Sequence, residues 1–304
     1  MRLTRHPASP VLRPNPFNDW EALNVFNPAV VFEDDLFHML YRAQGTDYVS
    51  RIGYAVSRDG VRWNRLQEPV FVPSGEAEAR GVEDPRVTAL GGRYYMAYTA
   101  YGRQGRHPDT GAAPSAVTPM YAVSNNLISW ERIGPVVEGE DNKDHALFPE
   151  RVGGRYVTFH RRPPSIWLAF SHDLRAWTDH EEILAPRPGL WDGKRIGAGG
   201  PPIPTPAGWL VLYHGNDEHH IYRMGTALLS LEDPRRVLAR PAAPILEPAE
   251  PWEVKGDVPN VVFGTANPVV HGVVYLYYGA ADRVIGLATA PLSDVLAWTI
   301  ETGR

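Results

Sequence analysis

A single unit recurs five times along the 304 residues of the chain. In each copy, a proline and two or three apolar residues lead through a turn into a strand that alternates apolar with aromatic residues. The prolines that mark the five copies are Pro28, Pro85, Pro149, Pro202 and Pro268. Their spacing of about 50 to 65 residues suits a repeated sheet of four short strands, which is the unit of a β-propeller.

A second hairpin follows most of these strands. In three copies an apolar strand, a serine and a tight turn precede a tryptophan, at Trp63, Trp130 and Trp177. Because these tryptophans share one place in the repeat, we expect them to pack between neighbouring sheets. A large β-sandwich would also contain many short strands, but it does not require the same hairpins in phase. The sequence therefore predicts an all-β fold, a five-bladed β-propeller, with a single domain over residues 1–304.

Composition narrows the class of protein. The chain carries 30 Lys and Arg against 35 Asp and Glu, a formal net charge of −5, which argues against a nucleic-acid partner. It contains no cysteine, so disulfides, thiolate metal sites and cysteine nucleophiles are excluded. No apolar run approaches the roughly 18 residues of a membrane span, and the N-terminus lacks the apolar stretch of a secretory signal. We therefore expect a soluble, cytoplasmic protein without a membrane partner.

The starts of the blades are where a small-molecule site is expected. In a propeller the first strand of each blade lines the central channel, so residues beside the marker prolines should converge at one opening. The ends of the second strands should approach the same opening. Polar candidates from these places are Asn27, Glu83, Asp84, Asp144, Glu150, Asn267 and Asp282. Cationic or imidazole candidates are Arg42, Arg103, Lys143, His160, Arg161, Lys194 and His214.

These two kinds of side chain point to cleavage of a glycosidic bond. That reaction needs a proton donor for the leaving oxygen and a nucleophile on the opposite face of the anomeric carbon. If the nucleophile is water, a second carboxylate activates it, roughly 6.5–9.5 Å from the acid in inverting enzymes. If the nucleophile is phosphate, a cluster of cations must hold the dianion. The number of cationic candidates favours phosphate.

Four motifs carry a resemblance to a known family. They are Gly-Val-Glu-Asp-Pro-Arg at 81–86, Leu-Phe-Pro-Glu at 147–150, Gly-Asp-Val-Pro-Asn-Val-Val-Phe at 256–263 and Tyr-Tyr-Gly-Ala-Ala-Asp at 277–282. From about Asn27 to Asp282 the chain resembles glycoside hydrolase family 130, the β-mannoside phosphorylases and related β-mannosidases. The resemblance implies a five-bladed propeller. It also implies an inverting phosphorylase that cleaves β-mannobiose, a manno-oligosaccharide or a mannosyl-glucose with inorganic phosphate to give α-mannose 1-phosphate.

The resemblance further implies roles for individual residues. Asp84 is the expected catalytic proton donor, acting through the mannose 3-hydroxyl. The expected substrate-binding residues are Asn27, Arg42, Glu83, Asp144, Glu150, His214 and Asp282. The expected phosphate-binding residues are Arg103, Lys143, His160, Arg161 and Lys194. Phosphate is a co-substrate, neither a cofactor nor a metal is implied, and the resemblance allows a homo-oligomer.

Alternatives to this function stay open at this stage. Some family members hydrolyse mannosides and use carboxylates to activate water, a task for which Glu150, Asp217 and Glu218 are available. Five-bladed glycosidases that act on arabinans and xylans have an aspartate where this chain has Asn27, which argues against their mechanism. A non-catalytic propeller that binds carbohydrate or protein is the third alternative. It has no need of an acid aligned with a cation cluster, so the phosphorylase is favoured.

Overall fold

Antiparallel strands are the dominant secondary structure of the computed structural model, which describes residues 3–102 and 117–303. The described strands fall into five consecutive groups. After β1 (Thr4–Arg5), the first group contains β2 (Asn24–Glu33), β3 (Leu36–Gln44), β4 (Ser50–Ser57) and β5 (Asn64–Arg65). The second contains β6 (Gly81–Leu90), β7 (Arg93–Tyr101), β8 (Val117–Ser124) and β9 (Glu131–Pro135). One parallel pair, Ser50 with Gly81, joins these two groups.

The remaining groups follow the same order along the chain. The third contains β10 (Lys143–Leu147), β11 (Tyr156–Arg162), β12 (Ser165–Ser171) and β13 (Thr178–Leu184). The fourth contains β14 (Arg195–Ala198), β15 (Ile203–Thr205), β16 (Gly208–Asn216), β17 (Tyr222–Leu229) and β18 (Val237–Ala239). The fifth contains β19 (Val262–Ala266), β20 (Val269–Val270), β21 (Val273–Ala280) and β22 (Val284–Pro291).

Helices are few among the described residues. They are α1 (Pro251–Val254), α2 (Leu292–Thr302) and two single 3₁₀ turns at Asp19–Glu21 and Glu76–Glu78. None of them is long and apolar enough to cross a membrane. β1, from the start of the chain, pairs with β22 and so adds a strand to the sheet of the fifth group. The all-β part of the sequence prediction is confirmed.

The hydrophobic core is divided into clusters that each lie between two consecutive groups. Leu40 packs with Met96 between the first and second groups, and Leu210 packs with Leu276 between the fourth and fifth. Two further clusters lie between the second and third groups and between the third and fourth. A fifth cluster joins the last group to the first. The hairpin tryptophans occupy such interfaces, as expected: Trp63 meets the Tyr277 ring edge-on.

The first strands of three groups share a β-bulge at the same place. In β2 the register shifts between Phe26 and Ala29, and β6 and β10 shift at the matching position. The residues at these bulges are Asn27, Asp84 and Asp144, with φ of 45°, 52° and 53°. Among residues other than glycine, Asn and Asp tolerate this left-handed conformation best. A bulge re-aims the side chain at the point where ladder pairing is broken, so three polar side chains turn toward a common region.

The marker prolines do not all occupy the same end of the first strands, which corrects the sequence prediction. Pro28 and Pro85 directly follow bulge residues, where the missing N–H removes no ladder bond. Pro149, Pro202 and Pro268 instead line a separate apolar cavity of about 390 Å³ at the other end of these strands. β2 and β6 continue past Pro28 and Pro85, whereas β10, β14 and β19 end before Pro149, Pro202 and Pro268, so the same proline and apolar pattern marks two different places.

A repeated polar contact secures four of the five groups. A buried tyrosine in the second long strand donates to a carboxylate that precedes the first strand, and an arginine pairs with that carboxylate. The sets are Tyr41–Glu21–Arg65, Tyr98–Glu78–Arg132, Tyr213–Asp192–Arg240 and Tyr278–Glu253–Arg5. Burial raises the pKa of all four tyrosines, which keeps them protonated as donors. The carboxylates are thus buried with their charge compensated.

Candidate active site

One cavity of about 180 Å³ collects polar side chains from all five groups. It opens where the first strands begin, at the end that carries the bulges. Its lining consists of Asn27, Arg42, Asp84, Lys143, Arg161, Arg195, Tyr222, Val258, Val261, Phe263 and Asp282. Four of these side chains are cationic and two are carboxylates, so the cavity suits an anion beside a hydroxyl-rich ligand.

Asp84 lies on one side of the cavity and is held by two donors. The Nδ2 of Asn27 donates to its Oδ1 at 2.8 Å, and the Nη1 of Arg42 donates to the same oxygen at 3.0 Å. Arg42 is fixed in turn by Glu83, whose Oε1 accepts from Nη2 at 2.6 Å. Within the described chain Asp84 Oδ2 accepts no hydrogen bond from a side chain. That oxygen is therefore available to a substrate hydroxyl.

The two carboxylates of the cavity titrate in opposite directions. Burial favours the neutral form of Asp84, but the charges of Arg42, Lys143 and Arg86 outweigh it and hold its pKa below the ordinary value. Burial raises the pKa of Asp282 to about 6, helped by the charge of Asp84 and opposed by that of Arg42. At neutral pH the free protein therefore carries an ionised Asp84 beside an Asp282 that gains a proton in mild acid.

Three of the four cationic lining residues come from the third and fourth groups. Lys143 begins β10, Arg161 lies in β11 and Arg195 begins β14. Lys143 and Arg195 form no ion pair with any carboxylate in residues 3–102 and 117–303. Arg161 pairs through Nη1 with Asp144, while its buried Nε has no partner among the described groups. An anion bound here would neutralise the two unpaired cations.

Two predicted substrate-binding residues lie beneath the lining rather than on it. Asp144 is fully buried and pairs with Arg86 and Arg161. The Nε2 of His214 lies 3.3 Å from Asp144 Oδ2, and burial lowers the pKa of His214 to about 4. His214 is therefore neutral at physiological pH. Both residues lie behind the cavity wall and do not line it, and their role in substrate binding stays a prediction.

His160 was expected to bind phosphate and does not reach the cavity. It occupies the position in β11 that tyrosine holds in the other four groups, fully buried against Asn142 and His180, with ring-nitrogen distances of 2.9 and 3.0 Å. Burial lowers its pKa to about 3, so the ring is uncharged. Successive side chains of a strand point to opposite faces, so Arg161 reaches the cavity and His160 turns away from it.

Three further predicted residues lie apart from this group. Glu150 is exposed beside Pro149, at the end of the first strand that faces the apolar cavity, so the structure does not bring it to the candidate site. Asn267 lines that same apolar cavity. The Nζ of Lys194 lies 3.1 Å from the Nε2 of His220, outside the lining, because Arg195 takes the inward position. Arg103 lies outside the described residues.

Sequence reasoning missed two polar lining residues. Arg195 directly follows the predicted Lys194. Tyr222 begins β17 and pairs across the ladder with Asn216 of β16. Asn216 also pairs with Arg195 of β14, so Arg195, Asn216 and Tyr222 lie side by side on three neighbouring strands of the fourth group. The repeat offered a signal: Arg195 stands at the start of a first strand, as Lys143 does in the third group.

Comparisons with known proteins agree with this geometry. The family model of glycoside hydrolase family 130, described as beta-1,4-mannooligosaccharide phosphorylase, matches residues 2–301. The chain is 47% identical over 302 residues to the 1,2-beta-oligomannan phosphorylase of Thermoanaerobacter sp. strain X514, covering 97% of this chain and 99% of that protein. It is 44% identical over 300 residues to the beta-1,2-mannobiose phosphorylase of the same strain, covering 94% of this chain and 96% of that one.

A solved structure extends the likeness to three dimensions. The beta-1,2-mannobiose phosphorylase of Listeria innocua, in complex with beta-1,2-mannobiose, matches with a TM-score of 0.88 at 28% identity. The match covers 98% of this chain and 99% of that chain. Since the family model spans nearly the whole sequence and the relatives align along their full lengths, the chain belongs to glycoside hydrolase family 130.

Proposed function

We propose that this protein is an inverting β-mannoside phosphorylase that uses inorganic phosphate to release α-mannose 1-phosphate. The observation that carries the proposal is the division of the lining of one cavity between two carboxylates from the second and fifth groups, Asp84 and Asp282, and three cations from the third and fourth groups, Lys143, Arg161 and Arg195. A phosphorolytic enzyme needs both, because a proton must reach the leaving oxygen while a dianion attacks the opposite face of the sugar.

The reaction follows from that division. The terminal mannose lies against Asn27, Arg42, Asp84 and Asp282, and phosphate lies on the cations. A phosphate oxygen forms a bond to the anomeric carbon as the bond to the glycosidic oxygen breaks. Asp84 supplies a proton, relayed through the mannose 3-hydroxyl, to that leaving oxygen. The products are α-mannose 1-phosphate, with inverted configuration, and the mannoside shortened by one sugar.

Phosphate also prepares the proton donor. In the free protein the neighbouring cations keep Asp84 ionised. A phosphate dianion beside Lys143 offsets the charge of that lysine at Asp84 and raises the pKa of its carboxyl group. The adjacent Asp282, which is protonated in mild acid, can pass a proton within the same cavity. Phosphate binding and protonation of Asp84 are therefore coupled.

The substrate class proposed is β-1,2-mannobiose and its longer oligomers. The two Thermoanaerobacter relatives, at 47% and 44% identity, carry β-1,2 names, whereas the family description names β-1,4 oligosaccharides. Hydrolysis is less well supported, because the carboxylates available for it lie elsewhere. Glu150 is exposed away from the cavity, and Asp217 and Glu218 line a separate one.

The test compares products with and without phosphate. β-1,2-Mannobiose, β-1,4-mannobiose and mannosyl-glucose are each incubated with the protein, and the sugars are identified by chromatography and ³¹P NMR. We expect mannose 1-phosphate from the β-1,2 substrate only when phosphate is present. Release of free mannose at an equal rate without phosphate would assign a hydrolase instead.

The arrangement of the groups as five blades around one axis is part of the proposal. It is supported by the core clusters, which join each group to the next and the last to the first. It is also supported by the cavity, to which all five groups contribute. The blades would form one domain over the whole chain, with the active site at the axis.

A further inference from the structure

Asp144 uses both of its carboxylate oxygens although it never reaches the cavity. Its Oδ1 accepts from Arg86 Nη2 at 3.3 Å, and its Oδ2 accepts from Arg161 Nη1. The side chain is 0% exposed. Burial alone would neutralise it, but Arg161, His214 and Arg86 hold its pKa well below the ordinary value. Asp144 is therefore a permanent buried anion directly behind the cationic side of the cavity.

Arg86 extends this contact to the acid side. It is 1% exposed, and its Nη1 donates to the backbone oxygen of Asp84 at 2.9 Å. Its Nε and Nη2 donate to the backbone oxygens of Gly199 at 2.7 Å and Ala198 at 3.1 Å. A continuous buried link therefore runs from the bulge at Asp84, through Arg86 and Asp144, to the guanidinium of Arg161. We name this link the buried brace.

The buried brace fixes the orientation of the Arg161 guanidinium. Nη1 is occupied by Asp144, whereas Nε is buried without a partner among the described residues. A guanidinium is planar and its donors form a fixed fork, so fixing one nitrogen sets the direction of the others. A flexible arginine would lose more conformational entropy on binding an anion than one already held in place.

We propose that Asp144 is a positioning residue for phosphate: through the buried brace it fixes the Arg161 guanidinium relative to Asp84. This inference rests on the proposed function, since it names how that site presents its anion-binding group. The competing explanation is a buried ion pair that serves stability alone. A purely structural pair would affect unfolding without acting selectively on phosphate.

The chain contains a matched control for the structural explanation. Asp192 is also 0% exposed and also pairs with two arginines, Arg187 and Arg240, but it belongs to the repeated contact with Tyr213 and not to the cavity. Asp144→Asn and Asp192→Asn remove the same charge from equally buried places. Both are expected to lower the melting temperature, because each leaves arginines incompletely compensated.

The experiment measures phosphorolysis of β-1,2-mannobiose by wild type, Asp144→Asn and Asp192→Asn. Phosphate is varied at saturating mannobiose, and mannobiose is varied at saturating phosphate. We expect Asp144→Asn to raise the KM for phosphate about 10- to 100-fold, as loss of a supporting contact does at other ion sites, with the KM for mannobiose within about twofold of wild type. Asp192→Asn should leave both KM values unchanged.

A combined variant tests the route through Arg161. In an Arg161→Lys background the held fork is already lost, so adding Asp144→Asn should raise the KM for phosphate no further. If Asp144→Asn does not fold, Asp144→Glu replaces it, because it retains the charge and displaces the guanidinium by a methylene length. The same selective rise is expected of that variant.

Three results would overturn the inference: an unchanged KM for phosphate in the Asp144 variant, equal rises for both substrates, or an equal defect in Asp192→Asn. A wild-type protein that cleaves mannobiose without phosphate would instead refute the proposed function. The two failures are therefore distinguished by the wild-type assay alone.

Discussion

Arg161 and Arg195 each stand next to a basic or imidazole side chain that faces elsewhere. His160 and Lys194 precede them by one residue, and the period of two along a strand sends neighbours to opposite sides. The cavity therefore selects single residues from pairs that look alike in the sequence. The same rule explains Arg42, which reaches Asp84 while Tyr41 turns inward to Glu21.

Replacing Asp84, the proposed proton donor, should lower activity without changing the fold. Asp84→Asn retains the bulge, since asparagine tolerates the same left-handed backbone, as Asn27 does in the first group. We expect kcat for phosphorolysis of β-1,2-mannobiose to fall about 10²- to 10⁴-fold, the usual contribution of a general acid. Circular dichroism should show the wild-type fold, while the melting temperature falls because Arg42 loses one of its two carboxylate partners. A variant with full activity would remove Asp84 from the mechanism.

Asp282 should make the protein less stable as the pH rises. Its folded-state pKa of about 6 lies above the ordinary value near 4, so between these pH values the folded state binds more protons than the unfolded one. The contribution of Asp282 to the free energy of unfolding is fully present below about pH 4. It is lost as the pH rises through 6, by roughly 2–3 kcal/mol. In Asp282→Asn this pH-dependent decrease in stability is absent, because asparagine does not titrate.

The measurement is urea unfolding of wild type and Asp282→Asn from pH 4.5 to 8. We expect the two curves to approach each other at the acid end and the variant to be the more stable above pH 6. Taking the difference between the two proteins cancels the other titrating groups. A difference that is constant across this range would show that Asp282 has an ordinary pKa.

At the scale of elements, the repeated tyrosine contact ties the segment before each first strand to the middle of the sheet. Tyr278 donates to the charged Oε1 of Glu253 at 2.7 Å, and the ring of Trp252 stacks on it. The adjacent Tyr277 is equally buried but donates to a neutral acceptor, the backbone oxygen of Gly60, at 2.8 Å. The pair offers a comparison of one hydroxyl with another in the same strand.

Tyr278→Phe should cost more stability than Tyr277→Phe. Loss of a bond to a charged acceptor costs about 1.5–3 kcal/mol, and loss of a bond to a neutral one about 0.5–1.5 kcal/mol. Urea unfolding of both variants at pH 7 measures the two values. Equal losses would indicate that the repeated contact owes its strength to packing and not to the charge of Glu253.

The sequence predicted the strands well, but it did not predict which end of a strand, or which face, each candidate residue occupies. Alternating aromatic strands and the tryptophans of the hairpins marked the sheets correctly, because both depend on local composition. The bulge residues Asn27, Asp84 and Asp144 were found as polar neighbours of first strands. Glu150 was misplaced because Pro149 follows its first strand, whereas Pro28 and Pro85 lie inside theirs, and all three are followed by a similar apolar pattern. His160 was misplaced because its role depends on a repeat position that tyrosine fills elsewhere.

At the scale of the whole molecule, residues far apart in sequence meet where the first and last groups join. Leu12 is 4% exposed in the cluster between these groups, and its backbone pairs with Ile285 of β22. Val25 of β2 donates to the backbone oxygen of Arg283 at 3.2 Å. Asp282 lies within three residues of both contacts, so this junction also supports the active site.

Weakening the junction should therefore affect both stability and substrate binding. Leu12→Ala removes a buried side chain from between the two groups, and we expect it to cost about 2–5 kcal/mol of unfolding free energy. Leu66→Ala, at a leucine that is 41% exposed, is the control and should change stability by no more than about 0.5 kcal/mol. Since Ile285 loses a packed neighbour in Leu12→Ala, the turn that carries Asp282 is less firmly placed, and the KM for mannobiose should rise more than the KM for phosphate. A variant that is destabilised but retains both KM values would show that the cavity is held by its own contacts, independently of the junction between the first and last groups.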